Sequence, residues 1–255
     1  MASLSEMAIT IREDGSRTPG SRASPYPTGM ALVVAHRGAS AAHPPGNTLE
    51  AFTAAATLGA DWVEFDVRPT ADGRLAVHHD AGLPDGRTIA EVVAVGLPGW
   101  VPLLDASLEA CRGMGVNVEI KADCPPGAHE GLVRAVVGLL RGLDDPSRFL
   151  VTSFSWDLVD RVRALAPELP TGLLAFDLAS GPDPVAAAVA GGHRAVNPWE
   201  HFVDEALVTR AHAAGIEVNA WTVDDPARVA ALARIGVDAV ITNVPDVARA
   251  VLSAG

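Results

Sequence analysis

Four short clusters in this 255-residue chain carry the side chains best suited to chemistry: His36-Arg37-Gly38, Glu64-Phe65-Asp66, His78-His79-Asp80 and Glu119-Ile120-Lys121. Histidine titrates near neutrality, so His36 and His79 are candidates to take up and release a proton within one reaction cycle. Arg37 and Lys121 can grip the oxygens of a phosphate, arginine through two parallel hydrogen bonds. Glu64, Asp66 and Glu119 offer hard oxygen ligands, which favour one divalent cation, Mg2+ or Ca2+, over a soft-ligand metal. Together these groups point to acid–base chemistry on an anion, assisted by a metal ion.

Such residues act together only if the fold gathers them. From Ala31 onward, short apolar runs alternate with Ala-rich stretches. Strands are expected at 32–35, 62–67, 116–120, 149–152, 172–176, 195–197, 217–222 and 239–242. Helices are expected at 48–58, 107–114, 129–140, 156–165, 184–190, 204–213, 226–234 and 247–252. Asn47 reads as an N-cap, and Gly59, Gly115 and Gly215 as helix ends. Successive βα units imply parallel strands joined by crossover helices. At this length the α/β chain should close into a (β/α)8 TIM barrel. An open sheet is the alternative, weakened by the lack of a G-x-G-x-x-G or Walker-type loop. The turn Thr70-Ala71-Asp72-Gly73 and the run 75–79 read as a hairpin-like excursion after the second strand. Active sites of such barrels lie at the C-terminal strand ends, where the clusters fall. Alternation along a strand aligns Glu64 with Asp66 and Glu119 with Lys121, and turns His78 away from His79.

Each motif has a plainer reading. Glu64 and Asp66 could form a wet strand edge, and Arg37 and Lys121 could serve as ion pairs within the acidic cluster. His43, His129, His193, His201 and His212 read as structural histidines. Nineteen Lys and Arg against 31 Asp and Glu give a net charge of -12. That charge argues against nucleic acid or anionic membranes as partners. Phosphate chemistry would then need a local cationic pocket. Cys111 and Cys124 read as lone reduced thiols. The chain shows no signal-like segment and no apolar run of about 20 residues, so a cytoplasmic protein without a stable membrane anchor is expected. Residues 1–29, rich in Ser, Pro, Gly and Arg, read as a disordered tail before a single domain at 30–255.

The ordered set of motifs resembles the glycerophosphodiester phosphodiesterase family. It comprises Ala35-His36-Arg37-Gly38-Ala39-Ser40, Asn47-Thr48-Leu49-Glu50-Ala51-Phe52, the segment from Gly59 through Glu64 and Asp66 to Val67, Thr70-Ala71-Asp72-Gly73, His79-Asp80 and Glu119-Ile120-Lys121. Fainter echoes are Ala220-Trp221-Thr222-Val223 and the segment from Gly236 to Asn243. The resemblance implies a TIM barrel and hydrolysis of a small-molecule glycerophosphodiester to an alcohol and sn-glycerol 3-phosphate. It implies Glu64, Asp66 and Glu119 as metal ligands, His36 and His79 as the catalytic pair, and Arg37 and Lys121 as phosphate contacts. Trp221 is a candidate pocket wall. Related expectations are a lysophospholipase D-like substrate, a metal-independent phospholipase C-like reaction, or a barrel that binds phosphodiesters without turnover. Two positions depart from the family pattern. Gly46 stands where Glu is usual, with Glu50 a possible substitute, and Asn243 stands where Asp is common.

Overall fold

The computed structural model describes residues 30–124, 126–143, 145–178 and 181–254, so the tail expected at 1–29 lies outside the described residues. The strands are β1 (Leu32–His36), β2 (Trp62–Pro69), β3 (Leu75–Val77), β4 (Gly115–Ile120), β5 (Phe149–Ser153), β6 (Thr171–Ala175), β7 (Ala195–Pro198), β8 (Glu217–Ala220) and β9 (Ala239–Thr242). All but β3 run parallel, in the order β1-β9-β8-β7-β6-β5-β4-β2, and β1 pairs back onto β2. This closes an eight-stranded barrel, as the sequence implied. The expected excursion is β3, antiparallel on β2, followed by two short 3-10 turns before the next helix.

The helices are α1 (Leu49–Thr57), α2 (Leu104–Ala110), α3 (His129–Arg141), α4 (Trp156–Leu165), α5 (Pro184–Gly191), α6 (Glu205–Ala213), α7 (Pro226–Arg234) and α8 (Pro245–Ser253). Strand alternation divides the labour. Val63, Phe65, Val67, Val116, Val118, Phe149 and Val151 face outward and pack with helix residues such as Leu104, Val133 and Leu158. The other parity points inward. Val34, Trp62, Leu150, Ala239 and Ile241 fill the barrel floor, and the polar residues of the same strands lie towards the C-terminal ends.

Local expectations fail where side-chain contacts outweigh propensity. Thr48, not Asn47, caps α1, its hydroxyl accepting from the Ala51 N–H at 3.2 Å. Helix α2 starts at Leu104 rather than 107, and Gly115 opens β4 instead of ending a helix. Gly113 (φ 92°) makes that turn. Gly115 is required for a different reason. A Cβ there would lie 2.0 Å from Cε2 of Trp62, whose indole covers the position. We expect Gly115→Ala to cost about 1–3 kcal/mol through overpacking. That is a melting-temperature fall of roughly 2–12 °C in a thermal unfolding curve; an unchanged midpoint would show that the Trp62 packing is loose.

Candidate active site

Strands β1, β2 and β4 are neighbours, and their register assembles the site. His36 pairs with Glu64, and Asp66 with Glu119. Oxygens of Glu64, Asp66 and Glu119 all lie within 4.8 Å of one another, and all three residues are buried. Burial and the Asp66 charge raise the Glu64 carboxyl well above its ordinary pKa, and the same causes raise Glu119. Burial would also raise Asp66, but the Lys121 and Arg37 charges outweigh it and hold Asp66 low. Glu64 Oε1 is buried with no hydrogen-bond partner. An oxygen with spare lone pairs, in a carboxylate cluster that resists its full charge, fits a hard divalent cation. Among the described residues, these three are grouped so that they could hold it.

The two cations occupy different places. Lys121 Nζ bridges the cluster, 2.7 Å from Asp66 Oδ1 and 2.5 Å from Glu119 Oε1. That is the ion-pair placement. Arg37 has a left-handed backbone (φ 57°) and donates its amide N–H to Glu64 Oε2 at 3.1 Å. Its Nε lies 3.5 Å from Asp66 Oδ2 without a hydrogen bond. The Arg37 guanidinium therefore keeps donors for an anion at the mouth.

Asn47 is part of this site, which the sequence did not show. Its Nδ2 donates to Asp66 Oδ2 at 2.7 Å from a left-handed backbone (φ 54°). Gly46 precedes it at φ 78°, and a Cβ there would come within 2.9 Å of the Arg37 and Ser40 Cβ atoms. A glutamate does not fit this loop path. Glu50 does not substitute for it, because Glu50 is exposed and lines a cleft outside the cluster.

The two imidazoles are set differently. His36 Nδ1 lies 2.7 Å from Asn243 Oδ1, which also accepts from the Ser40 hydroxyl at 2.8 Å. Asn243 Nδ2 donates to Asp224 Oδ2 at 2.6 Å, which fixes the amide's direction. His36 Nδ1 must then carry the hydrogen, leaving the Nε2 lone pair facing Glu64 Oε2 at 3.9 Å. Burial and the Arg37 charge push His36 down to about 4, so the ring is neutral near pH 7. The carboxyl group absent at position 243 is found one hydrogen bond further back, on Asp224. His79 follows β3 and pairs through Nδ1 with the Asp80 carboxylate at 2.7 Å. Burial lowers its pKa, as do the Lys121 and Arg37 charges, while Asp66 and Asp80 oppose the shift.

Arg68 also escaped the sequence reading, although it shares strand parity with Glu64 and Asp66. Its buried guanidinium donates to the His79 carbonyl, through Nε at 2.9 Å, and to Asp123 Oδ1 at 2.6 Å. It ties the His79 loop to β2. Displacing a catalytic group by about 1 Å can cost roughly 10²-fold. Arg68→Met should therefore lower kcat by about that factor with little change in KM. Steady-state kinetics check this; an unchanged kcat would mean that the loop holds itself.

The far side of the mouth is aromatic. Trp221 donates from Nε1 to the Asn197 carbonyl at 2.6 Å and meets Phe154 edge-on, centroids 5.4 Å apart. Phe176 stacks on Trp199 at 4.8 Å. Trp221 is thus anchored in the barrel and also forms part of a wall. His193 is structural, as expected, buried between Thr171 and Asp160. Cys111 and Cys124 are unpaired.

The chain is similar in sequence and fold to known proteins. Residues 36–247 match the glycerophosphoryl diester phosphodiesterase family. A glycerophosphodiester phosphodiesterase of Caldanaerobacter subterraneus is 30% identical over 237 residues, covering 84% of this chain and 95% of the relative. A phosphodiesterase of Oleispira antarctica, solved in complex with the product sn-glycerol-3-phosphate, superposes with a TM-score of 0.79 at 27% identity, covering 88% of this chain and 97% of that one. The glycerophosphodiester phosphodiesterase of Thermotoga maritima gives 0.72 at 26% identity, covering 85% and 96%. With the barrel, the motifs and the sequence match in agreement, the chain belongs to the glycerophosphoryl diester phosphodiesterase family.

Proposed function

We propose that this chain hydrolyses glycerophosphodiesters to an alcohol and sn-glycerol 3-phosphate by metal-assisted acid–base catalysis. The observation that carries this reading is the convergence of three buried carboxylates, with His36 Nε2 3.9 Å from Glu64 and with two candidate imidazoles that have different partners. A divalent ion held by Glu64, Asp66 and Glu119 would polarise the phosphoryl group and offset charge in the transition state; Mg2+ and Ca2+ both suit an all-oxygen set. Arg37 binds a non-bridging phosphate oxygen through its free donors. Lys121 acts mainly by holding Asp66 and Glu119 in place and contributes positive charge beside the phosphate. His36, neutral and backed by a neutral amide, takes a proton at Nε2 from the nucleophile, either a water or the vicinal glycerol hydroxyl. The new P–O bond forms as the ester P–O bond breaks; with the hydroxyl as nucleophile this gives a cyclic phosphate, which a water then opens to sn-glycerol 3-phosphate. His79, backed by the Asp80 carboxylate, gives its Nε2 proton to the departing alkoxide. Trp221 and its aromatic neighbours form the apolar side of the substrate pocket.

The Oleispira antarctica complex supports the product side of this reading. Two free cysteines suit a reducing, cytoplasmic compartment. No helix among the described residues is long and apolar enough to cross a membrane. The test is release of sn-glycerol 3-phosphate from glycerophosphoglycerol and glycerophosphocholine, with and without EDTA. We expect release that EDTA abolishes and a divalent cation restores. Release that survives EDTA would point to the metal-independent reaction instead.

A further inference from the structure

Beside the His79 loop lies a cleft of about 940 Å3, lined in part by Glu50, Asp80, Trp100, Pro44, Pro45 and Leu83. It runs between the start of α1 and the excursion after β3. It meets the proposed site at two points: Asp80, which holds His79, and Thr48, which follows Asn47. His79 is the proposed donor to the departing alkoxide. The leaving alcohol then lies on this side of the phosphate, away from the aromatic wall of Trp221.

The walls define what the cleft accepts. Among the described residues, no lysine or arginine lines it, and two carboxylates do. Asp80 is engaged by His79, but Glu50 forms no ion pair among the described residues. Trp100 is 39% exposed, and the His78 ring leans on it at 5.4 Å. The His78 ring is itself tied to the Asp80 carbonyl at 2.8 Å. Pro44, Pro45 and Leu83 add apolar surface. An indole, apolar walls and an unneutralised carboxylate together suit a cation whose charge is spread over methyl groups. A neutral polyol gains little there.

We propose that this cleft is the leaving-group site and that it selects diesters of a quaternary ammonium alcohol, Glu50 and Trp100 being the specificity residues. This rests on the phosphodiesterase reading. The test compares kcat/KM for glycerophosphocholine and glycerophosphoglycerol at pH 8 with saturating Mg2+ or Ca2+, for wild type, Glu50→Gln and Trp100→Ala. We expect wild type to prefer the choline ester by roughly tenfold or more. Each substitution should remove most of that preference through KM for the choline ester. The glycerol ester should lose much less, and an unchanged circular dichroism spectrum and melting curve show that the variants fold. Equal kcat/KM for both esters in wild type, or equal losses on both in the variants, overturns the proposal while leaving the phosphodiesterase reading intact. No release from either ester overturns both.

Discussion

His79→Ala should lose about 10²–10⁴-fold in kcat on a diester with an ordinary alcohol leaving group. It should lose far less on one with an activated phenolic leaving group. The asymmetry follows from the partners of the two rings. An alkoxide leaves poorly without a proton, whereas a phenolate needs none, so removing the acid matters only in the first case. Asp80 accepts from His79 Nδ1, an arrangement that stabilises an imidazolium. His36→Ala should behave differently and lose about 10²–10⁴-fold on both substrates, because a base is needed whichever group departs. The neutral Asn243 amide behind His36, and the burial that pushes it down to about 4, leave it a lone pair to use. Steady-state rates on the two substrates separate the roles. The reverse pattern would exchange acid and base, and near-native rates in either variant would remove that histidine from the mechanism.

Glu119→Gln should raise the divalent-ion concentration for half-maximal activity by at least roughly 10–100-fold without destabilising the fold. Glu119 pays for its place beside Asp66: burial and that neighbour's charge both oppose its ionised form. Glutamine keeps an acceptor oxygen for Lys121 and removes the repulsion, so the melting temperature of the metal-free protein should hold or rise. Loss of metal affinity with retained or increased stability marks a functional carboxylate. A fall in stability with unchanged metal dependence would assign Glu119 to the structure alone. Activity titrations with Mg2+ and Ca2+, alongside melting curves in EDTA, give both numbers.

The barrel and most of the site were legible because period-2 alternation and strand-end position are properties of local sequence. They place Glu64, Asp66 and Glu119 on inward faces without knowledge of the packing. The parts that were not legible depend on contacts between distant segments. Asn47 reads as a helix cap from composition, yet its left-handed backbone sends the amide to Asp66 instead. Arg68 shares the strand parity of the acids, but its hold on the His79 carbonyl depends on how the excursion folds back. Lys121 reads from sequence either as a phosphate contact or as an ion pair in the acidic cluster, and the three-dimensional arrangement puts it between Asp66 and Glu119. Gly46 is a departure in sequence whose sense is steric: the loop passes too close to Arg37 and Ser40 for a side chain.

The most direct test is anomalous diffraction from crystals soaked in Mn2+, a hard-ligand stand-in for Mg2+. One strong peak within about 2.0–2.6 Å of oxygens from Glu64, Asp66 and Glu119 is the expected result, with both imidazoles flanking it. A peak elsewhere, or none at this cluster under conditions that support turnover, would contradict a metal-assisted site between His36 and His79.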